Sequence, residues 1–144
     1  MRLVVDASVA VKWVFPDPVI EPDADRAIVL LKGIRDGSVE VIQPPHWLFE
    51  VIAVVTRLNP TASMEAIGLL EALELRVFDD GDTLRRAARL AGELQHHLFD
   101  TLYHAVALER DATLLTADQR YARKAKALGH IISLDEFVPD ATDG

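Results

Sequence analysis

Five short runs rich in Val, Ile, Leu and Thr alternate with longer stretches of helical periodicity, and this alternation restricts the possible fold most. The runs occupy residues 2–5, 39–42, 75–78, 113–116 and 130–133. The stretches between them are long enough for helical crossovers. Such crossovers are right-handed, so the strands run mostly parallel and helices cover both sheet faces. The expectation is an α/β domain, a three-layer α/β/α sandwich on a mostly parallel five-stranded sheet. Ligands in such folds sit beyond the carboxyl ends of the strands, and chemistry is sought there.

Helices are expected over 8–15, stopped by Pro16 and Pro18, and from Pro22 in a first turn to about Arg35, closed by Gly37. In the second of these Ala27, Leu30, Leu31 and Ile34 keep helical spacing. Further helices are expected over 46–58, after the break at Asn59-Pro60-Thr61 to about Leu73, and over 83–97, 100–110 and 119–128. No repeat or linker divides the 144 residues, half of which are hydrophobic, so one domain with a sizeable core is expected. A disordered or fibrous chain is excluded. The absence of cysteine excludes disulfides, thiolate metal sites and thiol nucleophiles. The longest apolar run, Val51 to Val55, is far below a membrane span, and Asp6 and Lys12 interrupt any signal-like start. No membrane partner and a cytoplasmic location are therefore expected. Twenty-three acids against fifteen Lys and Arg leave a net charge of −8. That balance disfavours non-specific nucleic-acid binding without excluding a nucleic-acid enzyme with bound cations.

Four carboxylates interrupt the pattern. Asp6 ends the first strand, where it marks the sheet edge or caps the next helix. Glu50 is the only charge in the apolar segment Trp47 to Val55. A helix apolar nearly all round is buried, and a buried carboxylate needs a cation or a basic partner. Asp100 opens a helix, as a site residue or a cap. Asp118 stands after the fourth strand as Asp6 does after the first, although Thr116 and Gln119 also fit a capping box. Converging carboxylates repel one another unless a cation binds or some are protonated. Oxygen ligands select hard ions, so Mg²⁺ or Mn²⁺ is the natural cofactor. Such ions activate water and offset charge on a phosphoryl oxygen, which makes phosphodiester hydrolysis the leading chemistry.

The segments Leu3-Val4-Val5-Asp6-Ala7-Ser8, Pro44-Pro45-His46-Trp47-Leu48-Phe49-Glu50-Val51, Leu98-Phe99-Asp100-Thr101-Leu102-Tyr103-His104-Ala105 and Leu114-Leu115-Thr116-Ala117-Asp118 resemble the four acidic motifs of PIN-domain ribonucleases. They are most similar to the VapC toxins of toxin–antitoxin pairs, and the resemblance runs from Met1 to about Val138. It implies a PIN-like nuclease domain over 1–138 with a C-terminal tail over 139–144. It also implies Mg²⁺-dependent endoribonuclease activity opposed by a cognate antitoxin. By the resemblance Asp6, Glu50, Asp100 and Asp118 bind the metal, and Ser8 and Thr116 assist through their hydroxyls. Phe99-Asp100-Thr101 departs from the commoner Tyr-Asp-Ala but keeps the acid.

Arg120 and Lys124, at i and i+4, share one helix side and are the first candidates for RNA phosphate contacts. Arg85, Arg86 and Arg89 form a second basic group. His96 and His97 are expected on different sides of a helix, which argues against zinc, and His104 lies four residues after Asp100. Asp79, Asp80 and Asp82 surround Gly81 and read as turn and cap residues. A phosphate-receiving regulatory domain would need adjacent acids after the first strand, an acceptor Asp after the third and a late strand-end Lys; Asp79-Asp80 follow the third strand, but the first offers only Asp6 and no Lys follows the fifth. A catalytically silent binding module is the other alternative. Val9, Val11, Trp13, Val14, Phe15, Leu30, Leu31 and Ile34 are covered either by the domain itself or by a partner such as a second copy in a homodimer.

Overall fold

A computed structural model describes residues 1–17 and 19–138; Pro18 and the expected tail 139–144 lie outside the described residues. The strands are β1 (Arg2–Val5), β2 (Glu40–Gln43), β3 (Arg76–Val77), β4 (Thr113–Thr116) and β5 (Ile131–Ser133). They form one parallel sheet in the order β3-β2-β1-β4-β5. The helices are α1 (Ala7–Val14), α2 (Ala24–Asp36), α3 (Trp47–Leu58), α4 (Ser63–Glu71), α5 (Gly81–Leu94), α6 (Leu98–Glu109) and α7 (Gln119–Ala125). Helix α1 packs on α2 and α3, and α3 on α4, while α5 and α6 pair and α6 lies across β1, β2 and β4. The α/β expectation holds in strand number and direction.

The central strands carry the core. Val4, Val5, Leu114 and Leu115 are buried, as continuous apolar runs in a parallel sheet covered on both faces should be. The edge strand β3 is shorter than expected and both its residues are exposed. Gln43 is fully buried at the end of β2, where the β1–β2 ladder has run out. Its amide replaces the missing rungs: Nε2 donates to the Val5 carbonyl at 2.9 Å and Oε1 accepts from Val5 N at 2.9 Å. This fixes the residue just before Asp6.

Several boundaries differ from expectation. Helix α2 starts at Ala24, because Asp23 adopts a left-handed φ of 62° and leaves Pro22 outside the helix; Gly37, at φ 83°, closes it as expected. The expected helix 83–97 ends at Leu94, where Gln95 turns left-handed with φ 50°. His96 and His97 therefore lie in the link before α6 and not on a helix. Helix α3 is amphipathic and not buried all round: Trp47, Val51 and Val55 face inward at i, i+4 and i+8, whereas Phe49 is 80% exposed. Val9, Val11, Trp13, Leu30 and Leu31 are buried in the domain, and Val14, Phe15 and Ile34 pack against its core. Val14, Phe15 and Ile34 are only partly buried, and Trp13 and Val14 line an open cleft with Ala62, Ala66 and Leu69.

Candidate metal centre

The acids come from four elements and meet at the carboxyl edge of the sheet. Asp6 follows β1, Asp118 follows β4 by two residues, and Glu50 and Asp100 lie in the first turns of α3 and α6. Asp6, Glu50 and Asp100 each offer a carboxylate oxygen, all within 4.8 Å of one another. A second trio of His96, Asp100 and Asp118 meets the same 4.8 Å limit, so Asp100 belongs to both.

Asp6 caps α1 and also faces the cluster. Its Oδ2 accepts from Ser8 N at 3.1 Å, from Ser8 Oγ and from Thr116 Oγ1 at 3.4 Å. Ser8 Oγ accepts in turn from Ala117 N at 3.0 Å, and Thr116 Oγ1 from Asp118 N at 3.1 Å. The two hydroxyls thus tie the ends of β1 and β4 together through one carboxylate oxygen. Asp118 caps α7 by accepting from Tyr121 N at 3.1 Å. The expected capping box does not form, because Gln119 turns away to donate to Ser133 Oγ at 2.8 Å. Asp100 is the third residue of α6 and not its opener; His97 occupies the cap position without a side-chain bond.

Charge at the site is uncompensated. Burial, assisted by Asp100 and Asp118, pushes the Asp6 carboxyl up to about 6 against the favourable Ser8 bonds. Burial and then the charges of Asp6 and Asp100 push Glu50 up to about 7. Glu50 Oε1 accepts from the buried Tyr103 hydroxyl at 3.2 Å. Burial and the same acids raise Tyr103 in turn, so the phenol stays protonated. Among the described residues no Lys or Arg pairs with any of the four acids; His46 lies 3.6 Å from Glu50 and His96 2.8 Å from Asp100. His46 Nε2 donates to the Phe99 carbonyl at 2.8 Å, and burial lowers its pKa, so it lends Glu50 little charge. A set of oxygen donors that burial and mutual repulsion hold partly protonated fits a hard divalent cation.

Arg120 and Lys124 line a cleft of about 370 Å³ together with Ala91, Gln95, His96 and His97. In the alternative basic group on α5, Arg85 pairs with Asp82 at 3.2 Å and Arg86 with Glu109 at 3.2 Å, while Arg89 is exposed. His104 is a satisfied core residue, bonded to Tyr121 Oη at 2.9 Å and the Gly129 carbonyl at 2.8 Å. Asp80 caps α5 through Thr83 N at 3.0 Å and meets Arg110 at 3.2 Å, which accounts for it without phosphate chemistry. Sequence reasoning did not single out His46, His96 or Tyr103 as neighbours of the acids. For the histidines the signal is spacing, since His46 and His96 precede Glu50 and Asp100 by four residues; Tyr103 meets Glu50 across 53 positions, which no local spacing announces.

An open parallel sheet with acids gathered at its carboxyl edge is the setting of a metal-dependent nuclease site. The PIN-domain family model matches residues 3–127, and the chain belongs to the PIN-domain family. PIN domains are in general nucleases that use a divalent metal. The fold is similar to that of PAE2754 from Pyrobaculum aerophilum, with a TM-score of 0.66 and 17% identity over 94% of this chain and 90% of that one. It is also similar to VapBC2 from Rickettsia felis, whose crystal structure holds a DNA fragment from their promoter; there the TM-score is 0.63 and the identity 16%, over 92% of this chain and 97% of that one. These likenesses are of fold. No curated protein matches the sequence.

Proposed function

We propose that the chain is a Mg²⁺- or Mn²⁺-dependent endoribonuclease, the toxin of a toxin–antitoxin pair, and that residues 1–138 form its nuclease domain. The observation that carries the reading is the convergence of Asp6, Glu50 and Asp100 within 4.8 Å, without a Lys or Arg partner among the described residues, in a PIN-family chain. Asp6, Glu50 and Asp100 hold the principal cation, and Asp118 completes the cluster. When bound, the ion supplies activation of water and offsets charge on the phosphoryl oxygen. Ser8 and Thr116 engage Oδ2 of Asp6 and leave its Oδ1 for ligation. Tyr103 donates to Glu50 Oε1, while Oε2 lies 3.6 Å from His46 Nε2. Arg120 and Lys124 bind RNA phosphates along the adjoining cleft.

The partner reading draws on VapBC2, whose crystal structure holds it bound to a DNA fragment from their promoter. A small antitoxin, encoded alongside, binds this chain and delivers a basic side chain to the acidic site. A homodimer and a cytoplasmic location complete the proposal; no helix of the described residues is long and apolar enough to cross a membrane. The deciding experiment is incubation with a mixed RNA pool in Mg²⁺, in Mn²⁺ and in chelator, with mapping of new ends. Cleavage confined to the metal arms is expected. Intact RNA in all arms would establish a silent binding module instead.

A further inference from the structure

His96 belongs to both the acid cluster and the basic cleft, and its two ring nitrogens have partners of opposite character. Nε2 lies 2.8 Å from Asp100 Oδ2. Nδ1 lies 3.3 Å from Lys124 Nζ, which also reaches the Gln95 carbonyl at 3.4 Å. An ammonium only donates, so Nδ1 must accept. The ring proton then resides on Nε2 and points at Asp100. We infer that His96 is a positioning residue: Lys124 fixes its tautomer, and its Nε2–H fixes the Asp100 carboxylate for the cation. This rests on the metal centre proposed above.

The surroundings are built for that task. The left-handed turn at Gln95 closes α5, and His96 N donates to the Ala91 carbonyl at 3.0 Å. The ring stacks at a tilt on Tyr121, with centroids 4.9 Å apart, and only 10% of the side chain is exposed. The imidazole therefore has one rotamer and one tautomer. Histidines that bond to a ligating carboxylate in this way orient the ligand and tune its basicity. The chain Lys124–His96–Asp100 also joins the phosphate-facing cleft to the metal centre.

The test compares His96→Gln with His96→Asn in Mn²⁺ binding without RNA, followed by calorimetry and by electron paramagnetic resonance. The Gln amide nitrogen takes the place of Nε2 and still donates to Asp100, whereas the Asn amide stops near the place of Nδ1. Both lose the same stacking on Tyr121. His96→Asn should weaken Mn²⁺ binding by about 10- to 100-fold, and His96→Gln should stay within roughly 3-fold of wild type. Nitrogen-15 spectra of the wild-type imidazole should show the Nε2–H form. Equal loss in both variants, no loss in either, or an Nδ1–H ring would overturn the assignment. A wild type that binds no Mn²⁺ would overturn the metal centre together with it.

Discussion

Glu50→Gln makes the strongest demand on the site. In the metal-free protein, burial and the charges of Asp6 and Asp100 raise the Glu50 pKa from 4.5 to about 7. Each tenfold change in proton affinity is about 1.4 kcal/mol, so the ionised carboxylate opposes folding by about 3 kcal/mol once the pH is well above 7. Water reaches 28% of the side chain and screens part of this, which leaves about 2 kcal/mol. The folded-state pKa lies above the unfolded one, so the native state binds the extra proton. The associated stability is full below pH 4.5 and is lost as the pH rises through about 7. Asp6, raised from 3.8 to about 6, contributes in the same sense at slightly lower pH. His46 and His104, lowered by burial, act in the opposite sense. His104, which contacts Tyr121 and Gly129 and not Glu50, cancels in the difference between variant and wild type.

The amide removes the charge and still accepts from Tyr103. In chelator, Glu50→Gln should therefore melt with wild type at pH 5 and above it by about 4–8 °C at pH 8.5. Mn²⁺ at 100 times its dissociation constant should add about 2.7 kcal/mol to wild type, or roughly 5–11 °C, and much less to the variant. The order of the two proteins then reverses. Thermal melts followed by circular dichroism at the two pH values, with chelator and with Mn²⁺, read all of this. A variant that melts below wild type in chelator at pH 8.5 would refute the reasoning. Glu50 would then be a structural partner of His46 and Tyr103 rather than a carboxylate held ready for a cation.

Asp6→Asn keeps an oxygen that accepts from Ser8 N, so α1 keeps its cap; RNA cleavage should fall by about 100-fold or more with an unchanged circular dichroism spectrum. Gln43→Leu strands Val5 N and the Val5 carbonyl in the core, and the urea midpoint should report a loss of about 2–4 kcal/mol. Lys12, buried on α1, pairs with Glu21 at 3.0 Å. Glu21→Gln should cost about 3 kcal/mol by leaving that ammonium without its partner, and the double variant Lys12→Met/Glu21→Leu should recover most of it.

The features legible in the sequence are those that break a pattern. Asp6 and Asp118 stand out because a charge follows an apolar strand, and Glu50 because its neighbours are apolar. The strands themselves are legible because β1 and β4 are buried on both faces and read as unbroken runs. Features that obey the pattern are hidden. Helix α3 looks apolar on every side, yet apolar density does not tell which of Trp47, Phe49 and Val51 faces inward; contact with α1 and α4 does. The left-handed residues Asp23 and Gln95 moved two helix ends, and neither is a glycine that would have announced the turn.

The same distinction explains the site. Its charged groups could be named from the chain alone, because ionised side chains are costly where the pattern buries them. The groups that touch them, Tyr103, His46 and His96, are a buried phenol and two imidazoles that pass for core residues. Once an acid is suspected, residues four positions before it become candidates to face it, and His46 and His96 satisfy that spacing, whereas Tyr103, on α6, reaches Glu50, on α3, only through the tertiary fold. The same spacing taken forward, however, also admits His104, four residues after Asp100, which the structure turns toward Tyr121 and Gly129 instead. Reach decides between such candidates. His96 lies before α6, where the chain bends back over the carboxylate of Asp100. His104 lies a turn further along the helix, where side chains enter the core.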